Sequence, residues 1–253
     1  MPKAAKSNAH ISRRRVSVGI DGHTLFESRM SGSDSLSERV YQALKRDIIR
    51  GVHTPGEALS EKDLAEKYKS SRTPVREAAV RLQQDNLLRV VPNRGYFITK
   101  ISVQDLTELY EYRASVECTC AELAASKAMH SPLLKHLQDL ARTEYKAEDR
   151  ESYLHFISAD TEFHVTVARL ARNQLLLKAV QAVRSQMERI MYAAIDIGYY
   201  GELPVDEHCH IVEAIVKREP ARARQLMYDH IFGSRAKVIE IAGGGAHGQW
   251  ETS

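Results

Sequence analysis

The chain has 253 residues, of which 43% are hydrophobic and 27% charged, and its formal net charge is +3. This length and balance predict one large or two modest globular domains and exclude a wholly disordered chain. No apolar run approaches the roughly 18 residues of a membrane span, and the basic N-terminus lacks the apolar stretch of a secretory signal. Three cysteines without a CxxC pair argue against a disulfide framework or a cysteine-rich zinc site. We therefore expect a soluble, cytoplasmic protein with no membrane partner.

The small net charge hides an asymmetry between the two parts of the chain. Residues 1–100 contain 19 basic and 11 acidic side chains, a net charge of +8, whereas the remainder contains 17 basic and 22 acidic side chains, a net charge of −5. A basic front part predicts a module that binds a polyanion. Residues 1–34 are basic without hydrophobic periodicity and predict a flexible tail; an arm that contacts phosphates remains an alternative.

Three short helices are predicted after this tail. Ser35-Leu36-Ser37-Glu38 is a capping box for the first helix, which Gly51 ends, and Ser60 caps the second. In the third helix Thr73 suits the N-cap and Pro74 the first helical position, while Val75, Ala79, Leu82 and Leu87 form the buried face.

Two β-rich runs, Leu88–Val91 and Tyr96–Thr99, flank the turn sequence Pro92-Asn93-Arg94-Gly95. Three helices followed by a hairpin predict a winged helix-turn-helix over residues 35–100. Arg72 and Arg76 lie at the start of its third helix, where a recognition helix presents side chains to base edges, and Arg94 lies at the tip of the wing. Each arginine alone is more simply a solvated surface charge, but together they favour DNA.

Residues 36–99 resemble the N-terminal domain of the GntR family of bacterial transcription regulators. The resemblance rests on the stretches Leu59-Ser60-Glu61-Lys62-Asp63-Leu64-Ala65, Ser71-Arg72-Thr73-Pro74-Val75-Arg76-Glu77-Ala78 and Asn93-Arg94-Gly95. It implies that Lys62, Arg72, Thr73, Arg76 and Gly95 contact double-stranded operator DNA. With Ser71 and Arg94, these residues form the candidate DNA-binding set.

The chain beyond residue 100 predicts six helices over residues 101–242, which form an all-α bundle, and then a flexible tail over residues 243–253. The predicted fold is therefore mainly α: a winged helix-turn-helix with a small β-hairpin wing, followed by an all-helical domain.

Four polar residues interrupt the apolar faces of this bundle. Asp160 and His164 lie one turn apart on a stripe that should be buried, and His208 and His230 reach similar heights in the last helical hairpin. Such ligands suit a divalent transition metal, with zinc, nickel or manganese favoured. The alternative is that each is a core residue with its own hydrogen bonds. His210, two positions from His208, should face solvent.

Residues 103–241 are similar to the effector-binding domain of the FadR subfamily. The motifs that carry this similarity are Tyr110-Glu111-Tyr112-Arg113 with Glu117, Asp160-Thr161-Glu162-Phe163-His164, Asn173, Glu207-His208 and His230. The similarity implies that Asp160, His164, His208 and His230 are metal ligands, and that Arg113 and Asn173 assist an effector. For Arg113, a simple ion pair with Glu117 is an equal alternative.

The sequence predicts a homodimeric, ligand-responsive transcription repressor that senses a small organic acid and is not an enzyme. Two alternatives remain at this point: a metal-dependent hydrolase, and a constitutive DNA-binding protein with a structural metal.

Overall fold

The computed structural model describes residues 35–128, 131–146, 149–196, 204–243 and 250–251. The predicted tail of residues 1–34 lies outside the described residues, as does most of the predicted tail of residues 243–253. The N-terminal part, here called the winged-helix region, runs from α1 to β3. Its elements are α1 (Leu36–Ile49), β1 (Ala58–Leu59), α2 (Glu61–Lys67), α3 (Arg72–Gln84), β2 (Leu88–Val91) and β3 (Gly95–Ile98).

The caps explain where the helices of the winged-helix region begin. Ser35 Oγ accepts a hydrogen bond from the backbone N–H of Glu38, and Ser60 Oγ accepts one from Asp63. The predicted start of α3 is wrong: the helix begins at Arg72, with Ser71 at the N-cap. Thr73 and Pro74 therefore lie inside the first turn, where proline is tolerated because its missing N–H has no partner in the helix.

The sheet of the winged-helix region has three antiparallel strands in the order β1-β3-β2. The predicted hairpin is confirmed, with Leu88 opposite Ile98 and Val91 opposite Gly95. Strand β1 adds a third strand by pairing Leu59 with Tyr96. Val75, Ala79 and Leu82, predicted for the inner face of α3, are buried and pack on α1 in one core with Leu44, Ile48 and Leu64. Leu87, predicted on the same helix, is also buried but follows the end of α3 at Gln84.

The described residues after Lys100 contain six helices, here called the bundle. They are α4 (Val103–Lys127), α5 (Leu133–Ala141), α6 (Arg150–Leu170), α7 (Gln174–Asp196), α8 (Val205–Val216) and α9 (Pro220–Gly243). A two-residue strand before α4, β4 (Ile101–Ser102), pairs in parallel with β5 (Trp250–Glu251). The bundle has its own core, in which Leu106, Tyr110, Phe163, Met187 and Ile231 are buried. The all-helical prediction for this part is confirmed.

Helix α7 also contacts the winged-helix region. Gln186 Nε2 donates to the carbonyl of Asp85, directly after α3, at 2.6 Å. Arg189 donates through Nη1 to Thr99 Oγ1 at 3.0 Å and through Nη2 to the Thr99 carbonyl. Tyr192 packs against the core of the winged-helix region. One helix of the bundle therefore holds both ends of the segment that carries β2 and β3.

Candidate nucleic-acid interface and metal centre

The start of α3 presents two arginines to solvent. The side chains of Arg72 and Arg76 are 66% and 65% exposed, and Ser71 and Thr73 beside them are exposed as well. Lys62 is exposed on α2. The free N–H groups of the first turn of α3 and its two cations give this end of the helix a positive potential that suits an anionic partner.

A single carboxylate connects both arginines to the neighbouring elements. Arg76 Nε donates to Glu61 Oε2 at 2.7 Å, and Arg72 Nε lies 3.8 Å from Glu61 Oε1. Tyr96 in β3 also donates its hydroxyl to Glu61, at 3.4 Å. The hydrogen bond from Arg76 holds the pKa of Glu61 below its usual range, so this carboxylate is ionised at neutral pH.

The turn between β2 and β3 places Arg94 in solvent at the tip of the wing. Gly95, which follows it, has a φ of +94°, and a Cβ at this position would lie 2.7 Å from the Leu59 carbonyl oxygen. The structure therefore gives Gly95 a backbone function: it allows β1 and β3 to approach each other.

Four polar side chains converge inside the bundle, and we call them the histidine–aspartate cluster. Asp160 and His164 project from α6, His208 from α8 and His230 from α9, and all four are buried. One potential ligand atom from each residue lies within 4.8 Å of the others. Thus three helices bring together the four residues that the sequence predicts as a metal site.

The shortest distances join the imidazole nitrogens and one carboxylate oxygen. His164 Nε2 lies 3.3 Å from His230 Nε2 and 3.8 Å from Asp160 Oδ1, which in turn lies 3.6 Å from His208 Nε2. The ring of Phe163 stacks on His208, with centroids 4.0 Å apart, and fixes the plane of that imidazole.

Carboxylates on neighbouring helices orient two of the imidazoles. His164 Nδ1 lies 2.6 Å from Glu117 Oε2, and His230 Nδ1 lies 2.7 Å from Glu207 Oε2. A partner at Nδ1 leaves Nε2 as the nitrogen that faces the cluster, an arrangement typical of metal-binding histidines.

Two buried arginines complete the surroundings of the cluster. Arg113 Nε donates to Glu117 Oε1 at 3.0 Å, and its Nη2 lies 3.3 Å from His164 Nε2. The predicted ion pair of Arg113 is thus present, and the same guanidinium also reaches the cluster. Arg184, on α7, donates to Asp160 Oδ2.

The electrostatics keep the ligand atoms in the forms that bind metals. Burial lowers the pKa of His164 to about 4 and that of His208 well below its ordinary value, so both rings are neutral at neutral pH. Burial alone would raise the pKa of Asp160, but the Arg184 guanidinium holds it below the usual range. Neutral imidazoles and an ionised carboxylate are the states that a divalent metal requires.

One buried atom supports the fit of a metal directly. His208 Nε2 is buried and has no hydrogen-bond partner among the described residues, although it faces Asp160 and His230. A buried polar atom without a partner costs free energy, which a coordinated cation would offset. The donor set of three imidazoles and one carboxylate suits zinc and similar ions. The cluster is therefore compatible with a divalent metal.

Within the described residues, the side chain of Asn173 forms its hydrogen bonds with the start of α7 and not with the cluster. Its Oδ1 accepts hydrogen bonds from the backbone N–H groups of Leu175 and Leu176, so it caps α7. The described contacts of Asn173 thus give it a structural function and do not place it in the cluster. His210 is exposed, as the sequence predicts.

Sequence reasoning missed Arg184, although a signal for it exists. Val180, Arg184 and Met187 share one face of α7 and are all buried. An arginine on such an apolar stripe needs a buried acid, and the same argument identified Asp160 and His164 on α6.

A winged helix-turn-helix that carries exposed arginines, followed by a helical bundle, is the architecture of a DNA-binding transcription regulator with a second, helical domain. The sequence model of the bacterial regulatory proteins of the gntR family matches residues 36–98, and that of the FCD domain matches residues 108–233.

Curated relatives and a solved structure agree with these matches. The Uxu operon regulator of Haemophilus influenzae is 30% identical over 222 residues, covering 81% of this chain and 82% of that protein. The HTH-type transcriptional repressor RspR of Escherichia coli is 28% identical over 215 residues, covering 85% of this chain and 94% of that protein. The structure of E. coli McbR/YncC matches with a TM-score of 0.68 at 20% identity, covering 83% of this chain and 99% of that one, and supports the fold.

The chain therefore belongs to the GntR family of transcription regulators and carries an FCD domain. Its relatives are regulators and not enzymes, which agrees with the prediction from the sequence. Regulators of this family bind operator DNA and typically dimerise. None of the helices in the described ranges combines the length and the hydropathy of a membrane span.

Proposed function

We propose that this protein is a ligand-responsive transcription repressor whose operator binding is controlled by a small carboxylate that binds at the histidine–aspartate cluster. The observation that carries the proposal is the cluster itself: four convergent, buried ligand residues within the part that matches an FCD domain. A purely structural core does not need three imidazoles around one carboxylate, because each buried polar atom costs free energy unless it is paired.

For DNA, we propose that each subunit of a homodimer reads one half of a near-palindromic operator. Arg72 and Arg76 would contact base edges, while Lys62, Ser71, Thr73 and Arg94 would contact phosphates or the adjacent groove. Their exposure supports this assignment. Gly95 would serve the wing through its backbone and not through a contact of its own.

We further propose that residues 35–100 and 101–242 are the two domains and that the protein is cytoplasmic.

For the metal, we propose one zinc, nickel or manganese ion per subunit, held by Asp160, His164, His208 and His230. The unpartnered Nε2 of His208 and the neutral state of two of the imidazoles support this set. When bound, such an ion supplies a positive centre for an anionic ligand. Glu117 and Glu207 would orient the imidazoles of His164 and His230.

For the effector, we propose a small mono- or dicarboxylate that also contacts Arg113. Glu117 holds Nε of this arginine, while Nη2 faces the cluster at His164, so the guanidinium has a fixed direction. A carboxylate beside it would gain charge-assisted hydrogen bonds at a site of low dielectric. Asn173 is left out of this site, because its side chain caps α7.

The test combines metal analysis, a thermal-shift screen of organic acids, and titration of DNA. We expect stoichiometric metal, a rise in the melting temperature with at least one small carboxylate, and weaker operator binding when that acid is present. Arg113→Lys keeps a charge beside Glu117 but not the bidentate fork, so it should weaken binding of the acid while keeping the fold. Equal affinity of wild type and Arg113→Lys for the acid would return Arg113 to a structural function.

A second candidate, a constitutive DNA-binding protein with a structural metal, is favoured by one observation. Both guanidiniums near the cluster already have acidic partners, Glu117 and Asp160. This candidate predicts that chelation of the metal lowers the melting temperature while no small acid shifts the melting temperature or the operator affinity. The same screen therefore separates the two candidates.

A further inference from the structure

A polar cleft of about 420 Å³ lies between the winged-helix region and the bundle. Its walls come from the first and third helices on one side and from α6 and α7 on the other. The polar side chains that matter for its chemistry are Tyr41, Lys45, Arg81 and Asp85 on the first side, and Thr161, Lys178, Arg184 and Glu188 on the second. This volume is within the range of small-molecule sites.

Cations outnumber acids on these walls. Four basic side chains line these walls, and three of them have an acidic partner. Lys45 binds Asp85 at 3.0 Å, Arg81 binds Glu38 at 2.6 Å, and Arg184 binds Asp160. Burial raises the pKa of the other acid, Glu188. Lys178 is exposed, and in the described part of the chain it takes part in no ion pair. Lys178 therefore brings to the cleft a positive charge that no ion pair among the described residues neutralises.

One buried donor in the cleft also lacks a partner. Arg184 is only 1% exposed and uses Nη2 to bind Asp160, while its Nε has no hydrogen-bond partner among the described residues. An unpaired donor on a buried guanidinium is costly, and an acceptor from a ligand would remove that cost. Because Asp160 belongs to the histidine–aspartate cluster, Arg184 contacts the cluster through Nη2 and also lines the cleft.

We propose that this cleft is a second ligand site, which binds a small organic dianion, a dicarboxylate or a phosphate ester, between the winged-helix region and the bundle. Arg184 anchors the anion from inside the cleft, and Lys178 and Lys45 flank it. The site is distinct from the cluster and goes beyond the proposed function, because it needs neither the metal nor Arg113.

A ligand in the cleft touches both parts of the protein. Tyr41 and Lys45 belong to α1, and Arg81 belongs to α3, whose first turn carries Arg72 and Arg76. Lys178 and Arg184 belong to α7. A ligand that binds both walls favours the arrangement in which they lie at this distance, so its binding is thermodynamically linked to DNA binding.

The test is isothermal titration of the full-length protein with succinate and, separately, with glycerol 3-phosphate. Lys178→Glu removes one cation and adds an acid at the cleft without breaking an ion pair, and it should weaken binding roughly tenfold. Lys135→Glu, an exposed lysine on α5 away from the cleft, is the matched control and should bind like wild type.

The outcomes separate the cleft from the cluster. Binding of either probe that is weakened by Lys178→Glu but not by Lys135→Glu or Arg113→Lys supports the cleft, and the better probe identifies the chemistry. Binding that is weakened by Arg113→Lys and is indifferent to Lys178→Glu places the anion at the cluster and overturns the proposal. Equal effects of the two lysine reversals, or no binding of either probe at millimolar concentration, overturn it as well.

Discussion

At the scale of single residues, Arg72 offers the sharpest test of the DNA interface. It lies at the first position of α3 and is well exposed. We expect Arg72→Ala to lose sequence selectivity, because one bidentate contact to a guanine contributes about 1–3 kcal/mol of discrimination. The fold should be retained, since the side chain contributes little to the core. A competition titration of operator against unrelated DNA measures this loss.

We expect a different effect from Lys62→Ala than from Arg72→Ala. Its exposed ammonium on α2 should bind a phosphate, so Lys62→Ala should weaken binding to all sequences and reduce the salt slope by about 1. If Arg72→Ala keeps the full selectivity of wild type, the assignment of the base-reading residue is wrong.

A second prediction at this scale concerns His208. We expect His208→Ala to lose the stoichiometric metal and to lower the melting temperature, because Asp160 and the other two imidazoles stay buried without the ion. Elemental analysis and thermal melting of protein purified without chelator measure both effects.

His210→Ala is the internal control for this prediction. His210 lies two positions away on the same helix but faces solvent, so its removal should change neither metal content nor melting temperature. Wild-type protein without stoichiometric metal would contradict the metal site whatever the variants do.

The sequence predicts the members of the cluster better than its surroundings. Asp160 and His164 are recognisable because a polar pair at i and i+4 stands on an apolar stripe. The pairing of Arg184 with Asp160 and of Glu207 with His230 depends on how separate helices pack, which no local pattern encodes. Arg113 shows the same limit, because its ion pair is local while its contact with His164 is not.

At the scale of elements, the wing depends on Gly95. A side chain here would need a positive φ and would press against the Leu59 carbonyl of β1. We expect Gly95→Ala to lower the free energy of unfolding by about 1–3 kcal/mol and to weaken operator binding through a displaced wing. Chemical denaturation measures the first effect and DNA titration the second.

Gly233, inside α9, is the matched control. It is exposed, and a Cβ there would meet nothing within 4 Å. Gly233→Ala should therefore stabilise the helix by about 0.5–1 kcal/mol. Equal stability changes for the two glycine variants would show that neither the close approach to β1 nor the positive φ constrains the wing.

The elements themselves were largely predictable, because helices and hairpins have local signals. Ser35 and Ser60 cap the helices that the sequence predicts, and the wing forms where turn residues separate two β-rich runs. The sequence does not predict strand β1, because its two residues become a strand only by pairing with β3. The sequence places the N-cap of α3 two residues too late, because Thr73-Pro74 satisfies the same local preferences as Ser71.

At the scale of the whole molecule, α7 connects the buried cluster with the winged-helix region. Arg184 binds Asp160, while Arg189, further along the same helix, donates two hydrogen bonds to Thr99. We expect Arg189→Met to leave the metal content unchanged but to reduce the change in operator affinity that a carboxylate effector causes. The ratio of operator Kd values with and without the acid measures this coupling.

Arg222→Met tests whether any lost arginine has the same effect. Arg222 is half exposed and pairs with Glu219, away from α7, so its loss should leave the ratio as in wild type. A ratio for Arg189→Met equal to that of wild type would show that the hydrogen bonds to Thr99 do not carry the signal.

The position of Glu61 has a consequence for how such a protein searches a chromosome. We propose that the protein reads DNA through the start of α3. Glu61 then competes with DNA phosphates for the two arginines there, because it already binds Arg76 and lies close to Arg72. A nonspecific phosphate contact must displace Glu61 and yields only a weak, salt-sensitive binding free energy. A matching base edge also displaces Glu61, but it forms a directional bidentate hydrogen bond with the arginine. We therefore expect Glu61 to shorten the residence time on unrelated DNA and to increase the ratio of operator affinity to nonspecific affinity.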